Sequence, residues 1–285
     1  MSLLEHLLDT TPRLSARPVP FGLFHLVSVA VILCLCVLMI LFRGRLPRGE
    51  TRLRRAVAVF GVGLLLLEIG KQVVYSYDPA AGWGYNWDRF PFQFCSTPIY
   101  TALVALCLPP CRVRKALLCF LATYSPVAGC AVLLYPASDV FHEILFLNIH
   151  TVIWHGAMLL FGLYLWLTGA VTPTGKTACA AAAVYLPLPV IALALNELEM
   201  ATGFAGDCTF NMFYVARDGL CMIPVLADIQ AGAPYPVFFA SYVLALGVGG
   251  ALVTGGMGLI RWLWKRRPRA ARRTGGSVSH EKTGT

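Results

Sequence analysis

A cysteine stands where an aromatic, polar loop becomes an apolar run, in the segment FPFQFCSTPIY at residues 90–100. That cysteine, Cys95, has two interpretations: a nucleophile at a membrane face, or one more small apolar side chain. A reactive thiolate can attack an ester and form a thioester, whereas a buried structural thiol is inert. The choice depends on which other groups lie near the sulfur.

Ionisable and amide side chains lie inside other apolar runs, where they are costly and normally face a cavity or each other. Glu68 and Lys71 are three positions apart, so they share a helix face and can form an ion pair. His150 and His155 lie in a later run, and Asn196 ends the next one. On helices that rise about 1.5 Å per residue, these groups and Cys95 lie within about 16 Å of one membrane face. We therefore predict a polar pocket that opens on that face.

The two histidines cannot have the same orientation. A separation of five residues places His150 and His155 about 140° apart around a helix, so both cannot point at one thiol unless the helix bends. One of them is expected to be a supporting or structural residue. Either histidine alone is more often an interhelical hydrogen-bond donor than a catalyst.

Membrane-spanning helices must position these residues. The chain has 285 residues, of which 58% are hydrophobic and 13% are charged, and a helix needs about 20 apolar residues to cross a bilayer. Seven runs are long enough, at residues 22–42, 54–76, 91–110, 115–135, 144–168, 177–196 and 236–262. The expected fold class is all-α, a polytopic membrane protein with seven transmembrane helices in one domain over residues 22–264.

The distribution of basic residues predicts the orientation, because Lys and Arg near span ends remain in the cytoplasm. One side of the predicted topology holds 18 Lys or Arg and two acids, and the other holds 4 Lys or Arg and 11 acids. We therefore expect residues 1–21 outside the cell membrane and residues 265–285 as a basic, disordered cytoplasmic tail. This asymmetry accounts for the net charge of +9 without a nucleic-acid partner.

The ten cysteines do not include a C-x-x-C pair, so we expect neither a zinc site nor another metal, and no cofactor. Most of them lie in apolar runs, where a thiol is usually a small hydrophobe. Cys208 and Cys221 fall in the longest outer loop. A disulfide between them is a hypothesis that an oxidising exterior would allow.

Two starting points for the third span give Cys95 different surroundings. If the helix begins near Ser96, Pro98 lies in its first turn, where the missing N–H costs nothing, and the unpaired amides of that turn surround the sulfur. If the helix begins at Pro91, Pro98 kinks it near Cys95. Either geometry frees backbone donors beside the thiol.

Three segments of the chain carry a family resemblance. FPFQFCS resembles the L-P-L-H-L-C-S signature of the bacterial YwaF-like integral membrane proteins, and FLNIHTVIWHGAMLLFGLYL resembles the histidine-bearing span of that family. TFNMFYVARD followed by GAPYPVFFASYVL is similar to its N-Y-M-Y-L and G-P-W-P-W-Y-I-L elements. The resemblance covers residues 20–262. Two positions depart from the pattern: Gln93 replaces a histidine, and APYP lacks a tryptophan.

That family is distantly similar to eukaryotic transmembrane protein 164, described as a cysteine-centred acyltransferase that moves acyl chains from phosphatidylcholine to lyso-ether phospholipids. The resemblance implies that Cys95 is the nucleophile and that His155 is the catalytic histidine. It implies membrane phospholipids or lyso-lipids as partners.

The mechanism that we expect is acyl transfer through a thioester, with water or a lyso-lipid hydroxyl as acceptor. First-turn amides of the third span, with Asn196 or Asn211, would hold the oxyanion. Glu68 would orient the imidazole and Lys71 would meet a phosphate. His150 and Gln93 are further supporting residues; Gln93 can donate and accept hydrogen bonds but cannot serve as a base.

Two other functions fit the sequence. A membrane transporter or sensor would use Glu68, Lys71 and the histidines as an outward-facing polar site, although the seven spans show no paired halves of the inverted-repeat kind. A scaffold that binds lipid or protein would need none of these groups. The consequence of losing Cys95 or Glu68 separates an acyltransferase from a transporter.

Overall fold

A computed structural model of the chain describes residues 2–136 and 140–266. This part is mainly helical and has almost no strand. The helices are α1 (Leu3–Asp9), α2 (Leu23–Leu41), α3 (Glu50–Tyr75), α4 (Thr97–Cys107), α5 (Arg112–Leu134), α6 (Leu145–Thr168), α7 (Gly175–Tyr185), α8 (Pro187–Thr202), α9 (Leu226–Gly232) and α10 (Tyr235–Arg266). A short antiparallel hairpin follows α3. It consists of two strands of two residues each, β1 (Tyr77–Asp78) and β2 (Gly82–Trp83).

Six helices in the described ranges are long and apolar enough to cross a membrane: α2, α3, α5, α6, α10, and α7 with α8 taken as one span of 28 residues. The run predicted at residues 91–110 holds a shorter apolar helix, Phe94–Cys107. Its 14 residues would extend about 21 Å at 1.5 Å per residue, less than the hydrocarbon thickness of about 30 Å. The sixth predicted span is divided near Leu186, where Pro187 and Pro189 begin α8.

α5 lies at the centre of the bundle, and most of its residues are buried. α6 packs against it closely, because each of the two helices places a glycine at the contact. A Cβ added to Gly129 would lie 2.7 Å from the backbone oxygen of His155, and one added to Gly162 would lie 2.2 Å from Pro126 Cγ. Glycine at these two positions therefore sets the distance between α5 and α6, and so the position of the histidine-bearing helix.

Basic residues join the helices at one end of the bundle. Arg114 forms an ion pair with Glu50 at 2.7 Å, and Arg54 donates to the carbonyl oxygen of Leu106 at 3.0 Å. At the opposite end, the acidic α1 docks on the hairpin: Trp83 donates to Glu5 at 3.0 Å and Tyr77 to Asp9 at 3.1 Å. The basic and acidic loops of the sequence thus gather at opposite ends.

Two further sequence expectations concern the outer loop and the tail. The disulfide hypothesis is wrong for this structure, in which all ten cysteines are free: Cys221 is buried in the apolar cluster beneath the outer loop, and half-buried Cys208 packs against the same cluster. The tail expected at residues 265–285 begins inside α10, which continues to Arg266. Residues 267–285 lie outside the described residues.

Candidate functional site

A cavity of about 570 Å³ lies towards the acidic end of the bundle, among α3, α5, α6, the turn before α4 and the outer loop. This volume falls in the range of about 300–1,000 Å³ that small-molecule sites have. Its lining is Lys71, Tyr75, Asp88, Arg89, Phe90, Gln93, Cys95, Ser96, Val132, Val140, His150, Thr151, Trp154, His155, Thr209, Asn211, Tyr214, Asp218, Gly219, Leu220 and Met222.

The outer loop forms the mouth of the cavity. Thr209, Asp218, Leu220 and Met222 line it and are exposed, with Leu220 at 78%. The opposite wall is formed by the buried faces of α6. The lining therefore passes from exposed loop residues to imidazole and thiol groups in the protein interior.

Cys95 lies in a 3-10 turn, Phe94–Ser96, that leads directly into α4. α4 begins at Thr97 with Pro98 in its first turn, so the first of the two predicted starting points is confirmed. The amides of Ser96 and Thr97 are already used, since Ser96 donates to the Gln93 carbonyl at 2.8 Å and Thr97 to the Phe94 carbonyl. Fewer first-turn amides are available to an oxyanion than the sequence predicts.

Trp154 connects the thiol-bearing turn to α6. Its indole N–H donates to the backbone oxygen of Cys95 at 3.0 Å. Its ring stacks on His150, with centroids 5.0 Å apart and an interplanar angle of 26°, and Lys71 Nζ lies 6.0 Å from the ring centroid. Trp154 was not among the site residues predicted from the sequence, although an indole beside a histidine inside an apolar run was a signal that could have found it.

The hydrogen bonds of His155 define its tautomer. Nδ1 lies 2.8 Å from the carbonyl oxygen of Thr151; because a carbonyl only accepts, Nδ1 carries the proton and Nε2 carries the lone pair. Nε2 is buried and has no hydrogen-bond partner in the described part of the chain. His155 and Cys95 line the same cavity, so the residue with the unpaired Nε2 and the residue with the thiol border one space.

His150 lines the cavity as well, and its Nε2 also lacks a partner among the described residues. Its ring lies against the aromatic rings of Trp154 and Phe146. The two histidines thus reach one cavity in different settings: one is held by a backbone carbonyl, the other by aromatic contacts. Both imidazoles therefore border the cavity, and the division into one central and one supporting histidine stays a prediction.

The predicted ion pair between Glu68 and Lys71 is present, with Nζ and Oε1 2.7 Å apart. Gln72 also donates to the Glu68 carboxylate at 2.7 Å. Lys71 lines the cavity, whereas Glu68 is only 4% exposed and lies behind it. Neither histidine is among the hydrogen-bond partners that the described structure gives Glu68. Its connections to the lining run through Lys71 and through Gln72, which also donates to the Arg89 carbonyl at 2.6 Å.

Gln93 and Asn196 hold the backbone of the outer loop. The Gln93 carboxamide donates to the Asn211 carbonyl and accepts from the Phe213 amide, both at 2.8 Å. Asn196 accepts from the Met212 amide at 2.8 Å and donates to its carbonyl at 3.0 Å. Asn196 does not line the cavity, so the structure places it away from an oxyanion.

The loop segment that Gln93 and Asn196 hold has a strained backbone. Phe213 and Tyr214 have φ values of 60° and 57°, a region that costs a non-glycine residue about 1–3 kcal/mol and persists only where surrounding contacts enforce it. Asn211, which does line the cavity, uses its own carboxamide to bind the Ala216 amide and the Leu220 carbonyl at 2.9 and 3.0 Å. Three amide side chains therefore fix the cavity wall.

Arg89 is a second basic group of the lining that the sequence analysis did not single out. Its guanidinium lies 4.8 Å from the ring centroid of Tyr75, which also lines the cavity. The signal was available, because Arg89 is one of only four basic residues on the acidic side and immediately precedes FPFQFCS. Lys71 and Arg89 give the cavity two cationic side chains.

The model of one protein family matches residues 20–254 of the chain. The chain belongs to the TMEM164 family. No curated protein and no solved structure matches it. The TMEM164 match begins just before α2 and ends in α10, so it includes every helix of the cavity and all of the site residues named above.

Membership of the TMEM164 family agrees with the six membrane-crossing helices, and together they identify a multi-pass integral membrane protein. The match supports the part of the sequence resemblance that concerned transmembrane protein 164. The narrower bacterial YwaF-like assignment stays a prediction.

Proposed function

We propose that this TMEM164-family protein is a cysteine-dependent phospholipid acyltransferase or lipid hydrolase that acts through a thioester. One observation carries the proposal: Cys95 and His155 line one cavity, and the His155 Nε2, which has no hydrogen-bond partner among the described residues, is the nitrogen that carries the lone pair. A nucleophile, a base and a group that orients the base are the parts of covalent acyl transfer.

In the first half-reaction, His155 Nε2 takes the proton of the Cys95 thiol, and the thiolate attacks the ester carbonyl carbon of a phospholipid. The tetrahedral intermediate collapses with cleavage of the C–O bond. The imidazolium returns the proton to the departing alkoxide oxygen, which leaves as the hydroxyl of a lyso-lipid. The acyl chain is then held as a thioester on Cys95.

In the second half-reaction, a lyso-lipid hydroxyl or water attacks the thioester carbonyl while Nε2 takes its proton. The C–S bond breaks, and the thiolate recovers the proton from the imidazolium. Transfer to a lyso-lipid makes the protein an acyltransferase, and transfer to water makes it a hydrolase. His150 supports the site through its stack on Trp154.

Lys71 and Arg89 suit the phosphate of a phospholipid headgroup, because both line the cavity and carry positive charge. Glu68 positions Lys71 through their ion pair. The apolar lining residues Val132, Val140 and Met222 suit the acyl chain next to the scissile ester. Gln93 and Asn211 act by holding the loop wall, as their hydrogen bonds indicate.

The proposed function requires a defined orientation of the chain in the membrane. Residues 22–264 form a seven-span domain in the cell membrane in which α4 and its preceding turn make the short third span. Residues 1–21 are extracytoplasmic and residues 265–285 are cytoplasmic. The excess of Lys and Arg on one side supports this orientation. It puts the cavity in the outer half of the bilayer.

Capture of the thioester tests the chemistry. Purified full-length protein is given phosphatidylcholine with a fluorescent acyl chain, with and without a lyso-ether phospholipid, and is analysed by intact mass and lipid chromatography. We expect an acyl adduct that hydroxylamine at neutral pH removes, together with a lyso product. Cys95→Ser should abolish both.

Cys130→Ser is the matched control, because Cys130 is a half-buried thiol of α5 that does not line the cavity. This variant should keep the adduct and the turnover. Full lipid turnover by Cys95→Ser, or an adduct that maps to another cysteine, would refute the proposal.

Transport or sensing is the second candidate, and the observation that favours it is the buried Glu68–Lys71 pair beside a cavity. A proton-linked transporter would tolerate Cys95→Ser and fail in Glu68→Gln. An acyltransferase would show the opposite order. Lipid turnover that Cys95→Ser abolishes identifies the acyltransferase, whereas absence of lipid turnover in the unaltered protein favours the transporter.

A further inference from the structure

A second cavity lies towards the basic end of the bundle, on the outer surface of α2, α3 and α6. Its volume is about 640 Å³, and its lining includes Met39, Phe60, Gly63, Leu64, Ile153 and Phe161. It shares no lining residue with the cavity of Cys95. Ile153 is 49% exposed and the neighbouring Val59 is 76% exposed. On membrane-spanning helices, an exposed apolar groove of this kind faces lipid.

The groove exists because α2 and α3 pack on α6 at different points. Ile32 of α2 fills the space beside Gly156, whereas Phe60 of α3 stacks on Phe161 with centroids 4.1 Å apart and nearly parallel rings. The stacked pair forms part of the groove lining. Nothing lies within 4 Å of a Cβ added to Gly63, so the groove is open at that position.

The inner end of the groove is basic. Arg52 and Arg55, in the first two turns of α3, line it and are exposed. In the described part of the chain, neither side chain forms an ion pair or a hydrogen bond. Other arginines at this end of the bundle do have partners: Arg54 donates to the Leu106 carbonyl, and Arg114 forms an ion pair with Glu50. Two cationic groups without counter-ions therefore stand at the end of an apolar channel.

We propose that this groove binds one anionic glycerophospholipid, with an acyl chain along the apolar lining and the phosphodiester between Arg52 and Arg55. An acyl chain matches the exposed aliphatic and aromatic surface. A headgroup of net negative charge matches two guanidinium groups, which bind phosphate oxygens in pairs, and basic pockets between helices at a membrane face hold such headgroups. The site is independent of the proposed chemistry at Cys95.

The charge part of the proposal is tested by native mass spectrometry of the full-length protein in detergent. Dioleoyl phosphatidylglycerol and dioleoyl phosphatidylcholine are added in equal amounts, and the lipid retained by the protein is counted. We expect a preference of at least about tenfold for the anionic lipid, since two basic groups at a membrane surface attract its net negative charge. Arg52→Gln/Arg55→Gln should remove this preference.

The control is Arg112→Gln/Lys115→Gln. These two exposed residues begin α5 at the same end of the bundle but do not line the groove. The control pair should keep the preference. Equal retention of the two lipids by the unaltered protein, or equal loss in the two double variants, would overturn the proposal.

The acyl part is tested by filling the groove. Gly63→Leu places a side chain in the open space and should reduce retention of both lipids at least severalfold. Gly247→Leu is its control, because Gly247 is another helical glycine with nothing within 4 Å and it lies away from the groove. Undiminished lipid retention in Gly63→Leu would show that the groove is not the binding site.

Discussion

Trp154 donates its indole N–H to the backbone oxygen of Cys95 at 3.0 Å, and this hydrogen bond joins α6 to the turn that carries the thiol. The next residue along α6 is His155, whose Nδ1 is held by Thr151 one turn earlier. One helix therefore orients the imidazole and also fixes the backbone of the cysteine turn. The positions of the proposed nucleophile and base are coupled through two adjacent residues.

Trp154→Phe should lower kcat for lipid turnover by about 3- to 10-fold and change KM little. The ring remains to stack on His150, but the turn loses a hydrogen bond worth about 0.5–1.5 kcal/mol. Steady-state kinetics on the fluorescent phospholipid measures the effect. Trp166→Phe is the control, since Trp166 on the same helix donates to the Ala122 carbonyl at 2.7 Å away from the cavity. Equal kinetic losses in the two variants would argue against a positioning role.

His155→Gln and His150→Gln compare two cavity histidines on one helix. General acid–base catalysis contributes about 10²- to 10⁴-fold, so His155→Gln should lose at least about 100-fold in kcat. His150→Gln should lose much less, because its ring acts through the stack on Trp154. Thioester formation in a single turnover measures both. The reverse order would assign the base to His150.

Lys71→Met should destabilise the protein by about 3–5 kcal/mol, because it leaves the buried Glu68 carboxylate without its cation. Thermal unfolding in detergent measures the change. Glu68→Gln/Lys71→Met removes both charges, and its loss should be smaller than the sum of the two single losses by at least about 1 kcal/mol. Additive losses would mean that the two charges do not interact.

Gln93→His replaces a carboxamide with the residue of the bacterial signature. An imidazole cannot both donate to Asn211 and accept from Phe213 as the carboxamide does, because its two nitrogens point in different directions. A buried group left unpaired costs about 1–3 kcal/mol, so the thermal midpoint should fall and turnover should not rise. Higher turnover with unchanged stability would instead make position 93 part of the chemistry.

Features that depend on local sequence were predictable. The expected run 22–42 became Leu23–Leu41 and the run 144–168 became Leu145–Thr168, because hydrophobicity over about 20 residues decides which segments can cross a bilayer. The Glu68–Lys71 ion pair followed from a spacing of three on a helix. The helix boundaries of the run at 91–110 were harder to predict. The aromatic segment before Thr97 is apolar enough to be part of a span, and yet it forms turns.

Residues far apart in the chain decide the cavity wall, and these contacts could not be predicted. Gln93 binds the backbone of Asn211, 118 positions later, and Asn196 binds that of Met212. Each side chain has an N–H group that could stabilise an oxyanion, but the carboxamides of Gln93 and Asn196 are hydrogen-bonded to the backbone of the outer loop. A polar residue in an apolar run indicates that a partner exists, and only the packing of the helices identifies that partner.

By itself, the sequence determined that this is a multi-pass membrane protein, that its basic and acidic loops gather at opposite ends, and that a thiol and two imidazoles lie towards the same end. Composition and helical spacing carry that information. The tertiary structure decided that Cys95 and His155 share one cavity, that Trp154 joins their elements, and that Arg52 and Arg55 end a separate groove. The rotation and close approach of each helix are set by residues on other helices, and no local pattern contains them. An example is Gly129, whose missing side chain leaves room for the His155 backbone.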